Sequence, residues 1–271
     1  MSIDLDAYFR RIGHDGSRAP TLDTLRAIHA LHPQAIAFEN LDPLLGKPVR
    51  LDAVSLQEKL VHDGRGGYCF EHNLLFGHVL TALGFETRWL AGRVMWLQPE
   101  VPVLPRTHML LLVTIDRERY IADVGFGGMT LTAPLRFQPD LEQNTPHESF
   151  RIVERDGGFV LQAKVRDAWS ALYWFDLQEQ ILPDYEMASW YQCTHPSSLF
   201  TAGLIIARSG PDRRYALRDN VLTVHHAGNS ERRVLRTPDE LRETLTGPLG
   251  LKLPDAPELD DVLKRMTAGA A

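Results

Sequence analysis

The sequence predicts an α+β protein with a helical N-terminal part, a central antiparallel β-barrel and a C-terminal part that mixes helices with strands. The period of the apolar residues predicts this division. The apolar residues recur with helical spacing up to about residue 83, at every second position from Glu86 onward, and with mixed spacing after Pro196. The corresponding domain boundaries are 1–85, 86–195 and 196–271.

The helical part contains four candidate helices separated by glycine, proline and aspartate, at residues 4–13, 21–31, 55–62 and 69–83. The last is the best defined, because four apolar residues share one face and a glycine follows in position to cap the C-terminus. These residues are Leu75, Val79, Leu80, Leu83 and Gly84.

The central part alternates like β-strands over residues 86–97, 107–115, 119–125, 149–155, 158–166 and 170–177. Turn sequences such as Asp156-Gly157-Gly158 join these segments, which is typical of an antiparallel barrel or a strongly curved sheet. An aromatic run is expected in the barrel core, because no basic groove accompanies it that would suit stacked bases. It comprises Trp169, Tyr173, Trp174 and Phe175.

The C-terminal part has short strand patterns near 203–207, 221–225 and 232–236, followed by helical patterns near 238–245 and 257–267. The final helix carries an apolar stripe formed by Leu259, Val262, Leu263 and Met266. Two arginine pairs in this part could contact nucleotide phosphates, although a solvated surface is the default environment of such pairs. They are Arg213-Arg214 and Arg232-Arg233.

Composition is that of a globular protein, with 44% hydrophobic and 24% charged residues in a chain of 271. The longest aliphatic run, 109–115, is too short to cross a bilayer, and the acidic first residues do not resemble a secretion signal. A cytoplasmic protein without a membrane partner is therefore expected, with Cys69 and Cys193 as free thiols. The net charge of −6, without a long basic tract, disfavours nucleic acid as a partner.

Cys69 is the candidate nucleophile. It follows two glycines and opens a helical pattern in Arg65-Gly66-Gly67-Tyr68-Cys69-Phe70-Glu71-His72-Asn73. A thiol at a helix N-terminus lies near unpaired N–H groups and the positive end of the helix dipole, so a depressed thiol pKa is expected. The alternative is a small apolar residue at the start of a buried helix.

A thiol nucleophile needs a base, and the chain has 11 histidines. His108 is selected because it lies on a predicted strand next to a strand that carries Asp123, whereas His72 and His78 are assigned structural roles. A two-residue turn at Asp116-Arg117 brings His108 within diagonal reach of Asp123. A four-residue turn leaves them about 13 Å apart, and a core histidine bonded to a backbone carbonyl is an equal alternative.

Four segments carry a resemblance to a known family. They are Pro33-Gln34-Ala35-Ile36-Ala37-Phe38-Glu39-Asn40-Leu41, Arg65-Gly66-Gly67-Tyr68-Cys69, Arg106-Thr107-His108-Met109 and Asp123-Val124-Gly125-Phe126-Gly127. In this order they resemble the arylamine N-acetyltransferase family. The resemblance implies a helical bundle, a β-barrel and an α/β lid around a papain-like cysteine-histidine-aspartate core. It also implies that Cys69, His108 and Asp123 are the catalytic triad.

The chemistry implied is acetyl transfer from acetyl-coenzyme A to the nitrogen of arylamines, arylhydrazines or similar amines, by a ping-pong mechanism through an acetyl-cysteine, without a metal. The resemblance suggests Phe38, Phe126 and Phe200 as substrate-binding residues. It suggests Trp96, Thr107 and Gly127 as contacts of the coenzyme, and a partly buried ion pair between Glu39 and Arg65. The partners expected are therefore a small amine and an acyl-coenzyme A, with the oligomeric state left open.

Other functions compete with this one. The same triad would also serve a thiol hydrolase, or an amide synthase of natural-product assembly, and other acyl-coenzyme A donors are compatible with it. A structural zinc site is a further alternative, since Cys69-x-x-His72 and Cys193-x-His195 offer four ligands, although the second spacing is poor. A binding module without catalytic activity is the last.

Overall fold

The computed structural model describes residues 3–97, 104–226 and 229–268. Its helices are α1 (Leu5–Ile12), α2 (Leu22–Ala35), α3 (Leu41–Leu44), α4 (Ala53–Gln57), α5 (Cys69–Ala82), α6 (Leu182–Thr194), α7 (Leu199–Ala202), α8 (Pro238–Thr246) and α9 (Glu258–Thr267). A π-helical turn, Glu58–His62, continues α4, and a 3₁₀ turn spans Gly127–Met129.

The strands are β1 (Phe38–Glu39), β2 (Glu86–Val94), β3 (His108–Ile115), β4 (Glu118–Ala122), β5 (Leu135–Arg136), β6 (Gln143–Asn144), β7 (Ser149–Arg155), β8 (Gly158–Val165), β9 (Ala168–Glu179), β10 (Ile205–Ser209), β11 (Arg213–Arg218), β12 (Val221–His226) and β13 (Asn229–Val234). In the part of the chain that these ranges cover, no helix combines the length and apolar character that a membrane span requires.

The N-terminal helices pack around α5. Helix α1 begins where the Asp4 carboxylate accepts a hydrogen bond from the backbone N–H of Ala7, and α2 begins in the same way at Thr21. Helix α5 is buried along most of its length, with its predicted apolar face in the core. Burial on nearly every side fixes this helix firmly, which matters because its first residue is Cys69.

The central sheet has eight strands in the order β5-β4-β3-β2-β9-β8-β7-β6, and every neighbouring pair is antiparallel. The two edges approach each other where the Gln143 side chain accepts from the Arg136 N–H at 2.8 Å and donates to the Arg136 carbonyl at 2.9 Å. The sheet is therefore a nearly closed barrel, which confirms the α+β fold with a central barrel. Tyr173 and Phe175 lie in its core, as predicted for the aromatic run. The prediction is wrong for Trp169 and Trp174, which are half-buried with arginine side chains over their rings, because neighbouring residues of a strand point to opposite faces of the sheet.

The C-terminal sheet has the order β1-β10-β11-β12-β13, and α8 and α9 contribute to its apolar core. Its first strand comes from the N-terminal part of the chain, since Phe38 pairs with Ala207 and Glu39 with Ile206. The other side of β1 contacts the loop before α5, where the Glu39 N–H donates to the Gly67 carbonyl at 2.7 Å. This short strand therefore connects the loop before Cys69 to the C-terminal sheet.

Helix α6 and strand β11 were not predicted. The buried face of α6 includes two polar residues, Ser189 and Gln192, while Met187 and Trp190 are exposed, so the sequence shows no apolar stripe. Helix α2 continues to Ala35, beyond its predicted end at residue 31, and includes Pro33 in its last turn. The domain boundaries 1–85, 86–195 and 196–271 remain a prediction.

Candidate active site

Cys69 is the first residue of α5 and its side chain is buried. The helix start is fixed by Glu71, whose carboxylate accepts from the Tyr68 N–H at 3.0 Å. Gly66 allows the loop before Cys69 to pass close to the backbone at Ala37, because a Cβ at Gly66 would lie 2.1 Å from the Ala37 carbonyl oxygen. The Cys69 thiol donates to the Thr107 carbonyl at 3.5 Å, which places the sulfur beside the residue that precedes His108.

The depressed thiol pKa predicted from the sequence is wrong for this buried cysteine. Burial raises the pKa of Cys69 well above its ordinary value, and the negative charge of Asp123 raises it further. The backbone N–H of Phe70 acts in the opposite direction but does not compensate. The thiol therefore keeps its proton at neutral pH unless a neighbouring base accepts it.

His108 and Asp123 are joined by a hydrogen bond, in which Nε2 of the imidazole donates to Oδ2 of the carboxylate at 2.7 Å. Strands β3 and β4 pair Ile115 with Glu118, so the turn between them has two residues. This is the register that the sequence left open as one of two. With Nε2 carrying the proton, Nδ1 of the ring is the nitrogen able to accept another.

The Asp123 carboxylate is buried and fully hydrogen-bonded. Oδ2 also accepts from the Tyr173 hydroxyl at 3.0 Å. Oδ1 accepts from Asn73 Nδ2 at 2.9 Å and from the Gly125 N–H at 2.9 Å. Burial by itself raises the pKa of Asp123, but His108, Asn73 and the Gly125 N–H together lower it, so the group stays ionised.

Three further histidines lie behind the site. His29 Nε2 accepts from the Asp123 backbone N–H at 3.1 Å, and burial lowers the pKa of His29 to about 4. His72 donates from Nε2 to the Ala37 carbonyl at 3.2 Å, and its Nδ1 accepts from His32 at 2.9 Å. These are neutral structural histidines, as predicted for His72.

These contacts also bear on the zinc alternative. Both ring nitrogens of His72 are hydrogen-bonded, so neither has a lone pair available for a metal. His195 bonds to the Ser197 hydroxyl instead. Among the residues that the structure describes, no group of three or more histidine, cysteine or acidic side chains is arranged to hold a metal ion.

The three suggested substrate-binding phenylalanines lie around this centre. The Phe126 ring meets the His108 ring edge-on, with 5.0 Å between centroids. Phe38 and Phe200 pack together at 6.1 Å, and Phe200 also meets Tyr68, the residue before Cys69, at 5.4 Å. Phe126 therefore lies against His108, and Phe38 and Phe200 lie near the residue before Cys69, while the roles of all three remain predictions.

The suggested coenzyme contacts lie nearby. Thr107 precedes His108 and its carbonyl accepts the thiol hydrogen bond. Trp96 follows β2 and packs, half-buried, against the same barrel core as Phe126. Gly127 begins the 3₁₀ turn that lies against β10 and β11, with the Phe38 ring 3.6 Å from where its Cβ would be. Their roles also remain predictions.

The predicted ion pair between Glu39 and Arg65 is confirmed, with 2.7 Å between Oε1 and the guanidinium. It belongs to a larger buried network, because Arg65 also pairs with Asp42, and Lys59 pairs with both Asp42 and Glu71. This network connects β1 and α3 to the start of α5. It therefore holds the loop that presents Cys69.

Comparison with known proteins is consistent with this geometry. A family model described as N-acetyltransferase matches residues 21–258. Arylamine N-acetyltransferase of Mycobacterium tuberculosis is 45% identical over 282 residues, covering 100% of both chains. The chain belongs to the arylamine N-acetyltransferase family. It is accordingly an acyltransferase enzyme, and the resemblance recognised in the four sequence motifs is confirmed.

Other members of this arylamine N-acetyltransferase family support the same assignment. An arylamine N-acetyltransferase / N-hydroxyarylamine O-acetyltransferase of Salmonella typhimurium is 41% identical, covering 94% of this chain and 91% of its own. The structure of Mycobacterium marinum arylamine N-acetyltransferase in complex with CoA has a TM-score of 0.94 at 44% identity, covering 98% of this chain and 99% of that one.

Asn73 and Tyr173 contact Asp123, and Gln192 contacts Thr107, although the sequence did not assign any of the three to the candidate site. Asn73 lies four residues after Cys69 on the same helix face, which is a spacing that could have indicated it. Tyr173 was assigned to the barrel core, where its hydroxyl reaches Asp123. Gln192, on the unpredicted α6, donates to the same Thr107 carbonyl as the thiol.

Proposed function

We propose that this enzyme transfers the acetyl group of acetyl-coenzyme A to the nitrogen of an arylamine or arylhydrazine, through an acetyl group carried on Cys69. One observation carries the proposal. His108 is bonded through Nε2 to the buried Asp123, and the thiol donates to the carbonyl of the residue just before His108. A buried thiol bonded to the residue before an oriented imidazole has the components of nucleophilic acyl transfer.

In the first half-reaction, His108 takes the thiol proton at Nδ1 and the Cys69 sulfur attacks the thioester carbonyl. The carbon–sulfur bond of the thioester breaks, the acetyl group passes to Cys69, and coenzyme A leaves with the proton. Asp123 stabilises the imidazolium that forms in between, because its own pKa is lowered and it remains a carboxylate. The raised pKa of Cys69 makes this proton transfer necessary.

In the second half-reaction, the amine attacks the acetyl-cysteine after coenzyme A has left, which gives ping-pong kinetics. Arylamines are neutral at pH 7, so an apolar aromatic site suits them. Phe38, Phe126 and Phe200 would supply that site, since Phe126 meets the His108 ring and Phe200 packs against Phe38 and against Tyr68, the residue before Cys69.

The coenzyme would reach Cys69 past Trp96, Thr107 and Gly127. The residues present fit an extended ligand, because Gly128, next to Gly127, leaves room. A Cβ there would meet only Ala216 among the described residues, at 3.8 Å. The CoA complex of the M. marinum relative supports the same co-substrate here. Both cysteines are free thiols, which supports the cytoplasmic location expected from the sequence.

The decisive experiment is incubation with acetyl-coenzyme A alone, followed by mass spectrometry. We expect one acetyl group on Cys69 with release of one coenzyme A, and no acetyl group on Cys69→Ala. Cys193→Ser is the matched control, because Cys193 is the second thiol, and it should acetylate normally. Absence of an adduct while coenzyme A still binds contradicts the mechanism.

Addition of water or amine to the acetylated protein then separates the candidate reactions. Rapid loss of acetyl to an arylamine, with slow loss to water, supports the transferase. Rapid loss to water without amine indicates a thiol hydrolase. Initial rates at several amine concentrations should give parallel double-reciprocal lines, and intersecting lines contradict the ping-pong order.

A further inference from the structure

Gln192 has one buried amide atom without a partner. The side chain is only 8% exposed, and its Nε2 donates to the Thr107 carbonyl. Its Oε1 has no hydrogen-bond partner among the described residues. The amide orientation follows from this contact, because a carbonyl can only accept and the nitrogen must therefore face Thr107.

The position of this oxygen relates it to the nucleophile. The Thr107 carbonyl accepts from the Cys69 thiol as well as from Gln192, so the amide and the sulfur each lie one hydrogen bond from the same atom. A buried acceptor without a donor is unfavourable, and folded proteins rarely keep one without a reason. A donor that arrives with a substrate would satisfy it.

The chemistry of the second half-reaction identifies that donor. The acetyl group on Cys69 carries only an acceptor oxygen. A primary amine carries two N–H groups. One proton leaves when the carbon–nitrogen bond forms, while the other stays on the nitrogen of the product amide. The hydrogen that stays needs an acceptor throughout the reaction.

We infer that Gln192 Oε1 accepts this remaining N–H and orients the amine toward the acetyl carbon. The inference rests on the proposed function. In the step itself, the nitrogen lone pair forms the bond to the acetyl carbon, and the bond from that carbon to Cys69 sulfur breaks. The departing proton passes to His108 and from there to the sulfur, which regenerates the thiol. Gln192 is thus a residue that binds and selects the acceptor.

The test measures the two half-reactions separately in Gln192→Met, which keeps the side-chain length and removes both polar atoms. Acetylation of Cys69 by acetyl-coenzyme A should stay within about twofold of wild type. The second-order rate constant for reaction of the acetylated enzyme with 4-methylaniline should fall about tenfold, the effect of one lost hydrogen bond of ordinary strength. Met187→Leu, on the exposed face of the same helix, is the matched control and should change neither rate.

A second variant distinguishes acceptor binding from support of the fold. Gln192→Glu retains acceptor oxygens at the same reach but places a charge in a buried position. If Gln192 has only a structural role, this variant should be the more damaged of the two. If its oxygen binds the amine, Gln192→Glu should react with 4-methylaniline faster than Gln192→Met, relative to the amount of acetylated enzyme.

The outcomes are distinct. An unchanged amine step in Gln192→Met, or equal losses in both half-reactions, overturns the inference and leaves the proposed function intact. A loss confined to the acetylation step also overturns it, because it assigns Gln192 to the coenzyme. Failure of the wild-type protein to acetylate Cys69 contradicts the proposed function itself.

Discussion

Asn73 donates from Nδ2 to Oδ1 of Asp123 at 2.9 Å, and the same nitrogen donates to the Met109 carbonyl at 2.7 Å. Its Oδ1 accepts from the Val124 N–H at 3.0 Å. The Asn73 side chain, on the same helix as Cys69, thus contacts Met109, Asp123 and Val124. The relative position of Cys69, His108 and Asp123 depends on this amide.

Asn73→Ala should therefore reduce activity more than a typical buried substitution. It removes a donor from Asp123 and leaves buried backbone groups at Met109 and Val124 unpaired, at about 1–3 kcal/mol each. We expect acetylation of Cys69 to slow by at least about tenfold in rapid-quench measurements. Asn144→Ala, an exposed asparagine in β6, is the control, and equal rates in the two variants would contradict the assignment.

The reactivity of Cys69 should depend on pH through His108. Because burial raises the thiol pKa, the thiolate of His108→Gln should be scarce at neutral pH. Its rate of iodoacetamide labelling should rise about tenfold per pH unit above pH 7. Wild-type enzyme should react much faster at pH 7, since the imidazole accepts the proton. Both are measured with Cys193→Ser in place, and equal labelling at pH 7 would exclude His108 as the base.

Arg65→Ala should affect stability more than chemistry. The Glu39 side chain is fully buried, and the substitution removes the two guanidinium N–H groups that donate to its Oε1. Breaking a buried ion pair costs about 3–5 kcal/mol. Urea unfolding checks this. Arg155→Ala removes an exposed pair with Asp156 and should cost less than about 1 kcal/mol. Similar midpoints for the two variants would contradict a structural role for the buried network.

Asp42 should contribute stability that depends on pH. Burial raises the pKa of this carboxyl, but Lys59 and Arg65 lower it below its ordinary value, and the lowering prevails. The contribution is therefore present above the unfolded pKa of about 3.9, and it is lost as the pH falls through the lower folded value. Wild type should exceed Asp42→Asn in unfolding free energy at pH 7, and the gap should narrow below pH 4. A difference in unfolding free energy that does not change with pH would show that the Asp42 charge is not its cause.

Gly125→Ala should disturb the active site through sterics alone. A Cβ at this position would lie 2.9 Å from both Asn73 Nδ2 and the Cys69 carbonyl oxygen, so the nucleophile helix must shift away from Asp123. We expect kcat/KM for the amine to fall by about tenfold or more. An unchanged kcat/KM in Gly125→Ala would show that the close contacts with Asn73 and Cys69 do not position the site.

The sequence predicted the α+β fold with its central antiparallel barrel and selected Cys69, His108 and Asp123 for the proposed triad, because apolar periodicity and ordered motifs are local features. The strand register was not predictable from it. The turn at Asp116-Arg117 has positive φ at both residues, 50° and 69°, and this pair lacks the glycine or asparagine that usually indicates such a turn. Only the packed barrel selects between the two registers.

Other misses have the same origin in tertiary structure. The helix dipole at Cys69 could be anticipated, but the burial that outweighs its effect on the thiol pKa depends on α6 and the barrel. Helix α6 itself was hidden because Ser189 and Gln192 occupy its buried side. Ser189 contacts Tyr68 and Gln192 contacts Thr107, both next to residues of the candidate site. The polar residues that interrupt the apolar stripe of α6 are therefore the ones that face this site.

Strand β1 has a consequence for the order in which the protein assembles. Its neighbour Asn40 accepts from the Ile205 N–H, 165 residues further along the chain, while Glu39 holds the loop before Cys69. On the ribosome, the N-terminal helices can form before the last quarter of the chain has been synthesised, but until then β1 lacks its sheet partner β10 and has only the loop before Cys69 beside it. A nascent chain arrested before residue 205 should therefore contain Cys69, His108 and Asp123 and yet lack the sheet to which β1 connects the loop before Cys69.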